Sequence, residues 1–418
     1  MVNWASRMFI SQVASEGKSR QMQSNFGVDP AEILPHYNMW DPEHEQIKWD
    51  VFSYARSKCP VAHTDGDGGG QYIVSRYEDV RRVLEDPELF SSTGVAPRPS
   101  PVGLNPLDSD PPYQPDLRKI LNPLFGRNFL LKFEPELRKN AVDLIESFIH
   151  HGRFDFIQEF AGPFVGNALS RAVFNEDDPA KMVHAAEVVV RVAIEGTDEA
   201  YFELVVLSGQ YLAERAQNPT DANDVLNAIS TGTVEGGRHL TDAERLGVVT
   251  VLFLGGLDTT RGALGSIAYH LAKQPELEKR VRDPAWIRQD MDEFIRLESP
   301  VGCLGRRATR DVELGGVQIK QGEQILLRYD SANRDEAQFD DPANLRFDLR
   351  RGGHAGFGLG LHRCLGVHFA RIQIAVAFEE LFKRVTNLRF ANPDTEVRWA
   401  PGIANGPESL ELTFDVIG

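Results

Sequence analysis

Apolar and polar positions follow a helical period over most of this chain. "YEDVRRVLEDP" reads as an amphipathic helix stopped by Pro87. From about residue 114 to 298 the pattern is helical almost throughout, with apolar residues recurring at three and four in "LRKNAVDLIESFIHH" and "MVHAAEVVVRVAIEG". "NPTDAND" breaks that run. A capping box, Thr241 followed by Glu244, then opens a segment that continues to Pro275 and predicts one uninterrupted, unusually long helix.

The period changes after Pro300. "RRATRDVELGGVQIKQGEQILLRY" alternates and predicts short strands joined by glycine turns. A glycine-rich stretch leads into one more helix, "CLGVHFARIQIAVAFEELFKRV", and the chain closes on strand-like "NLRFA" and "LELTFDV". Ahead of the helical body, "HEQIKWDVFSYARS" predicts a helix and "VAHTDGDGGGQYIVSR" two strands about a Gly/Asp turn. Residues 93–112, rich in Pro and Gly, predict a long loop of the kind that often serves as a lid. The fold class expected is mainly α with a smaller β-rich part. With no linker between them, residues 1–418 read as one integrated domain, of which residues 1–60 are the least diagnostic.

Composition narrows the function. The 418 residues are 42% hydrophobic and 25% charged, ordinary for a globular protein. A net charge of −16 argues against non-specific binding to nucleic acid or an anionic membrane, and leaves room for a local basic patch. The first 25 residues carry no continuous apolar run of the signal-peptide kind. The most apolar run, Val248 to Leu257, is too short for a membrane anchor. Three cysteines, Cys59, Cys303 and Cys364, cannot build a disulfide framework, which points to a reducing cytoplasm.

The chemistry concentrates in "HAGFGLGLHRCLG", His354 to Gly366. Cys364 stands at the expected start of a helix, where N–H groups and the dipole favour a thiolate. Gly358, Gly360 and Gly366 let the backbone approach something flat and turn N–H groups toward the sulfur. A lone thiolate with backbone donors is one way to hold haem iron. The competing readings are a buried structural cysteine and a zinc site of His354, His362, Cys364 and His368. Zinc sites usually recruit a second paired knuckle, which the sequence lacks.

"FGLGLHRCLG" resembles the cysteine loop of the cytochrome P-450 haem-thiolate monooxygenases at Phe357, Gly358, Gly360, His362, Cys364 and Gly366. The resemblance covers roughly residues 70 to 418 and fits the bacterial type without an anchor, with a likeness to the camphor-type enzymes. It implies haem b (iron protoporphyrin IX), held between a long kinked distal helix and the helix starting at the cysteine. Cys364 is then the proximal iron ligand, with Phe357 packed near the sulfur. "GGLDTT", Gly255 to Thr260, resembles the family's distal box, in which Thr259 handles oxygen and Asp258 relays protons. From the residues alone, two glycines and a hydroxyl that competes for a carbonyl weaken the helix there.

Glu293 and Arg296 in "EFIRLESP" match the family's buried ion pair, which an arginine downstream should join: Arg351 by spacing, with Arg334 as the alternative. Arg118, Arg306 and His354 match the usual partners of the haem propionates. Gln114 stands where the family often has a histidine, so a charged contact is lost there. Without the resemblance, each of these is an ordinary surface charge.

The activity implied is insertion of one atom of O₂ into an apolar small molecule, a terpenoid, steroid or fatty-acid-like compound. Electrons would come from NAD(P)H through a reductase and a ferredoxin docking on the cysteine-side face at Arg118, Lys119, Arg351 and Arg363, to a monomer. A peroxygenase and a ligand sensor are the alternatives; neither needs the Asp258–Thr259 pair. The pocket is expected from the 93–112 loop, helices around 160–210, Leu254 to Thr259, Val301 to Leu304, and Gly402 to Gly406. Arg98 is a candidate for binding a carboxylate, against the plainer reading of a solvated side chain.

Overall fold

The computed structural model describes residues 28–417 apart from 67–68, 95, 97–99, 177, 196, 349–351 and 395. Arg98 and Arg351 therefore lie outside the described residues. Helices dominate between Tyr113 and Glu298. They bury one large apolar core that extends to the helix Val367–Phe382, whose side chains are buried on nearly every face.

The β-rich part forms two main sheets. The larger runs in the order Val61–Thr64, Gln71–Val74, Gln324–Arg328, Cys303–Ala308, Phe90–Ser91. Only the pairing of Gln71–Val74 with Gln324–Arg328 is parallel, and it joins segments about 250 residues apart in the chain. The smaller sheet, Val385–Phe390, Glu411–Val416 and Arg153–Asp155, is antiparallel and lies against the helical body.

Three segments differ from expectation in ways that shape the site. The long helix is two: Asp242–Gly256 and Asp258–Lys273, broken at Leu257 (φ −93°, ψ −65°). The Thr259 hydroxyl donates to the Gly255 carbonyl at 2.7 Å, the competition that locally bends helices. Gly256 is required by packing as well, since a Cβ there would stand 2.7 Å from Leu169 Cδ1. The Thr241–Glu244 capping box is formed in both directions. Second, the last helix starts at Val367 rather than at Cys364, which sits three residues ahead of it. Third, the loop after Ser91 is pinned: Asp108 accepts from Leu104 N at 2.7 Å and Asp110 from Ser92 N at 2.7 Å.

Candidate active site

A cavity opens between the Leu257 break and the turn carrying Cys364. Its walls are mainly aliphatic: Leu104 and Leu107 from the loop, Leu169, Val189 and Val192 from helices above, and Leu254, Ala263, Val301, Leu304 and Ile403. These are the segments expected to form the pocket.

Cys364 is exposed to this cavity. Its backbone N–H donates to Phe357 O at 2.8 Å, closing the turn that presents the sulfur. That turn can lie where it does because Gly360 has φ +63° and approaches Leu84 closely; a Cβ there would be 2.4 Å from Leu84 O. Burial pushes the free thiol's pKa up, opposed by the Gly366 N–H and by Arg118, Arg363 and Arg371. Those are the groups that favour the thiolate once a metal takes the place of the proton. Phe357, Gly358 and Gly366 line the cavity, and Arg371 lies over the Phe357 ring at 5.2 Å.

Opposite stand Asp258 and Thr259, both facing the cavity. Asp258 is buried and paired with Arg261, whose Nε and Nη2 both end on Oδ1. No described hydrogen bond reaches Oδ2. The sequence reading missed Arg261, although spacing three residues on in a helix was the available signal.

Two arginines face the cavity without an ion-pair partner among the described residues. Arg306, 2% exposed on the strand Cys303–Ala308, donates Nη1 to Gly305 O. Arg118 donates Nη2 to Arg363 O at 3.0 Å. Burial lowers the pKa of both. A buried guanidinium without an ion pair is costly even with Asp110 in electrostatic reach, so Arg306, with Arg118 beside it, suits an anionic guest in the cavity.

His354 is not brought to this cavity. Its Nδ1 accepts from Gly356 N, and its Nε2 faces Asp292 at 3.7 Å, a carboxylate that also pairs with Arg371. The histidine that lines the cavity beside both arginines is His362. Burial, Arg306 and Arg118 together lower its pKa to about 4. Gln114 is fully buried at the cavity wall and donates Nε2 to Leu361 O at 3.1 Å, supporting the same turn. Its Oε1 has no hydrogen-bond partner among the described residues.

Glu293 and Arg296 form the expected buried pair. Arg296 Nη1 donates to the carbonyls of Asn333 (2.7 Å) and Pro342 (2.8 Å), and Nη2 to Asn344 O (3.1 Å). Glu293 Oε1 accepts from the backbone N–H of Arg346 at 2.9 Å. The alternative arginine, Arg334, stacks over Trp49 and stands 3.9 Å from Glu298.

A single thiol in a glycine turn, apolar walls, two anion-seeking arginines and a helix break opposite fit an iron porphyrin carrying carboxylates. Among the described residues no group of three or more His, Cys, Asp or Glu stands together as metal ligands, so the zinc reading has no support. The arrangement is that of a haem-thiolate protein. The family model for cytochrome P450 matches residues 194–284 and 287–414, and the chain belongs to that family.

Its relatives include a steroid C26-monooxygenase of Mycolicibacterium smegmatis, 29% identical over 87% of this chain and 92% of the relative. Another is the mycinamicin IV hydroxylase/epoxidase of Micromonospora griseorubida, 30% identical over 83% and 90%. Among solved structures, a mutant of P450 EryK in complex with erythromycin B superposes with a TM-score of 0.80 at 27% identity, covering 88% of this chain and 96% of that one. The protein is a cytochrome P450 oxidoreductase of the monooxygenase kind, and its cofactor is haem b.

Proposed function

We propose that this chain hydroxylates or epoxidises a bulky apolar molecule of the steroid or terpenoid kind, using electrons from NAD(P)H delivered by a separate ferredoxin and its reductase. The observation that carries this reading is the mainly aliphatic cavity, closed at one end by Cys364 and at the other by the Asp258–Thr259 break. Relatives named as a steroid C26-monooxygenase and a mycinamicin IV hydroxylase/epoxidase support hydroxylation or epoxidation of an organic substrate.

When bound, haem supplies O₂ activation at its iron. Cys364 would hold the iron; Arg118, Arg306 and the neighbouring His362 would hold the propionate edge. The aliphatic walls exclude water and orient the substrate by shape. Thr259 keeps a hydroxyl at the cavity edge, now donated to Gly255 O. Asp258 holds the carboxylate that resupplies its proton, with Oδ1 anchored by Arg261 and Oδ2 left to exchange.

The donor would dock on the cysteine side, where Lys119 and Arg363 are exposed and Arg127 and Arg371 stand close to His368. Such a patch on a chain of net charge −16 suits an acidic ferredoxin. Strand pairing between residues 71–74 and 324–328 supports a single domain. None of the three cysteines is in a disulfide, which suits the cytoplasm. No helix among the described residues is long and apolar enough to cross a membrane.

The test is a reconstituted assay with a steroid and terpenoid panel, measuring product, NAD(P)H consumed and H₂O₂ released. Thr259→Ala should bind substrate and consume NAD(P)H while diverting much of the flux to H₂O₂. Lys119→Glu should slow reduction most at low salt without changing substrate affinity. Normal coupling in Thr259→Ala would remove the role of that hydroxyl.

A further inference from the structure

Ser92 does not line the cavity, yet its side chain is buried, 1% exposed, at a meeting point of three segments. Its Oγ lies 2.9 Å from His362 Nε2, in the turn Gly360–His362 that ends two residues before Cys364. Its backbone N–H donates to Asp110 Oδ1 at 2.7 Å, and the Ser91 hydroxyl donates to the other oxygen of the same carboxylate. The strand Phe90–Ser91 pairs with Arg307 and Ala308, on the strand that carries Leu304 and Arg306 into the cavity.

Asp110 closes the loop whose residues Leu104, Pro106 and Leu107 line the cavity. That loop is braced internally: Ser109 donates to Asn105 Oδ1 at 2.8 Å, and Asp108 holds Leu104 N. Its described residues 104–110 are thus held together, and Asp110 and Ser92 join them to the base of the cysteine turn. His362, which also bonds the Ser109 backbone, loses one of its ties when the Ser92 hydroxyl is removed, and its ring must then turn or admit water, which loosens the turn that presents the sulfur.

We propose that Ser92 is a positioning residue of the haem site: its hydroxyl fixes the His362 ring and, with Asp110, ties the cavity-lining loop to the turn that carries Cys364. The proposal rests on haem ligation by Cys364. It is independent of which substrate the enzyme takes.

The test uses the reduced holoenzyme with carbon monoxide. In fixed, sub-denaturing urea, the red-shifted Soret band of the thiolate complex converts to the shorter-wavelength band seen when that ligation is lost, and the rate is measured. Losing one buried hydrogen bond predicts roughly a fivefold faster conversion in Ser92→Ala. Asp110→Asn should also be faster, and the double variant should be no faster than the faster single one, because both act through one chain of bonds. Glu244→Gln, remote at the capping box, should lower the melting temperature and leave the rate within about twofold of wild type.

A Ser92→Ala rate within twofold of wild type overturns the proposal. So does a double variant whose effects multiply, or an equal acceleration in Glu244→Gln. A wild-type protein lacking the red-shifted band would instead overturn ligation by Cys364, a distinguishable failure.

Discussion

Arg296 offers the most demanding test of how the fold holds its site. The side chain is fully buried. It donates to Glu293 through Nε (2.9 Å) and Nη2 (2.8 Å), and to three carbonyls 37 to 48 residues downstream. Truncating it in Arg296→Ala strands a buried carboxylate, which by itself costs about 3–5 kcal/mol. Three carbonyls lose a charged donor as well, each worth about 1–3 kcal/mol before relaxation and water entry reduce the sum. A total of roughly 5 kcal/mol or more rivals the whole net stability of a typical domain, about 5–15 kcal/mol.

Arg296→Ala should therefore fail to accumulate as folded, haem-loaded protein. Arg296→Lys separates charge from geometry. An ammonium restores the ion pair, but it cannot span donors aimed at Glu293 and at three separate carbonyls. A loss of about 2–3 kcal/mol is expected. Since 1 kcal/mol shifts the midpoint by about 2–4 °C in domains half this size and by less in longer chains, the Lys variant should melt roughly 3–6 °C lower. The assay is haem content per chain and the melting midpoint at one scan rate. Wild-type haem content and midpoint in Arg296→Ala would refute the reasoning, because no buried charge could then have been left unpaired.

Two further outcomes follow from the same geometry. Cys364→Ala should abolish the red-shifted Soret band of the reduced carbon monoxide complex, while Cys59→Ala and Cys303→Ala should leave it; a retained band in Cys364→Ala would displace the ligand assignment. The bonds that Glu244 accepts from Arg238 and from the Thr241 N–H hold its pKa at about 2, against the opposing effect of partial burial. Its contribution is thus complete above the ordinary carboxylate pKa of about 4.3 and is lost as pH falls toward 2. Glu244→Gln should be less stable than wild type by about 1 kcal/mol at pH 7, a gap that shrinks to about half by pH 3 in urea melts; a gap constant down to pH 3 would contradict the assignment.

Some of this molecule is written in short-range sequence. The Thr241–Glu244 box, the hydroxyl of Thr259 set four residues after Gly255, and the Glu293–Arg296 spacing each engage partners within one helical turn. Local geometry is then enough to read them. The glycine turn around Cys364 is legible for the same reason. Other features depend on atoms far away in the chain. The helix from Asp242 to Lys273 breaks at Leu257, and Leu169, packed against Gly256, belongs to another helix.

His354 and His362 lie eight residues apart in one glycine-rich stretch. In the fold His354 faces Asp292, while His362 meets Ser92 and lines the cavity. Arg296 finds its carbonyls, and Arg306 its burial, through chain segments that no nearby residue specifies. Bond competition within a turn is a property of neighbouring residues. The direction a buried side chain takes is set by the least costly polar partner that packing brings within reach, and packing exists only once the whole chain has folded.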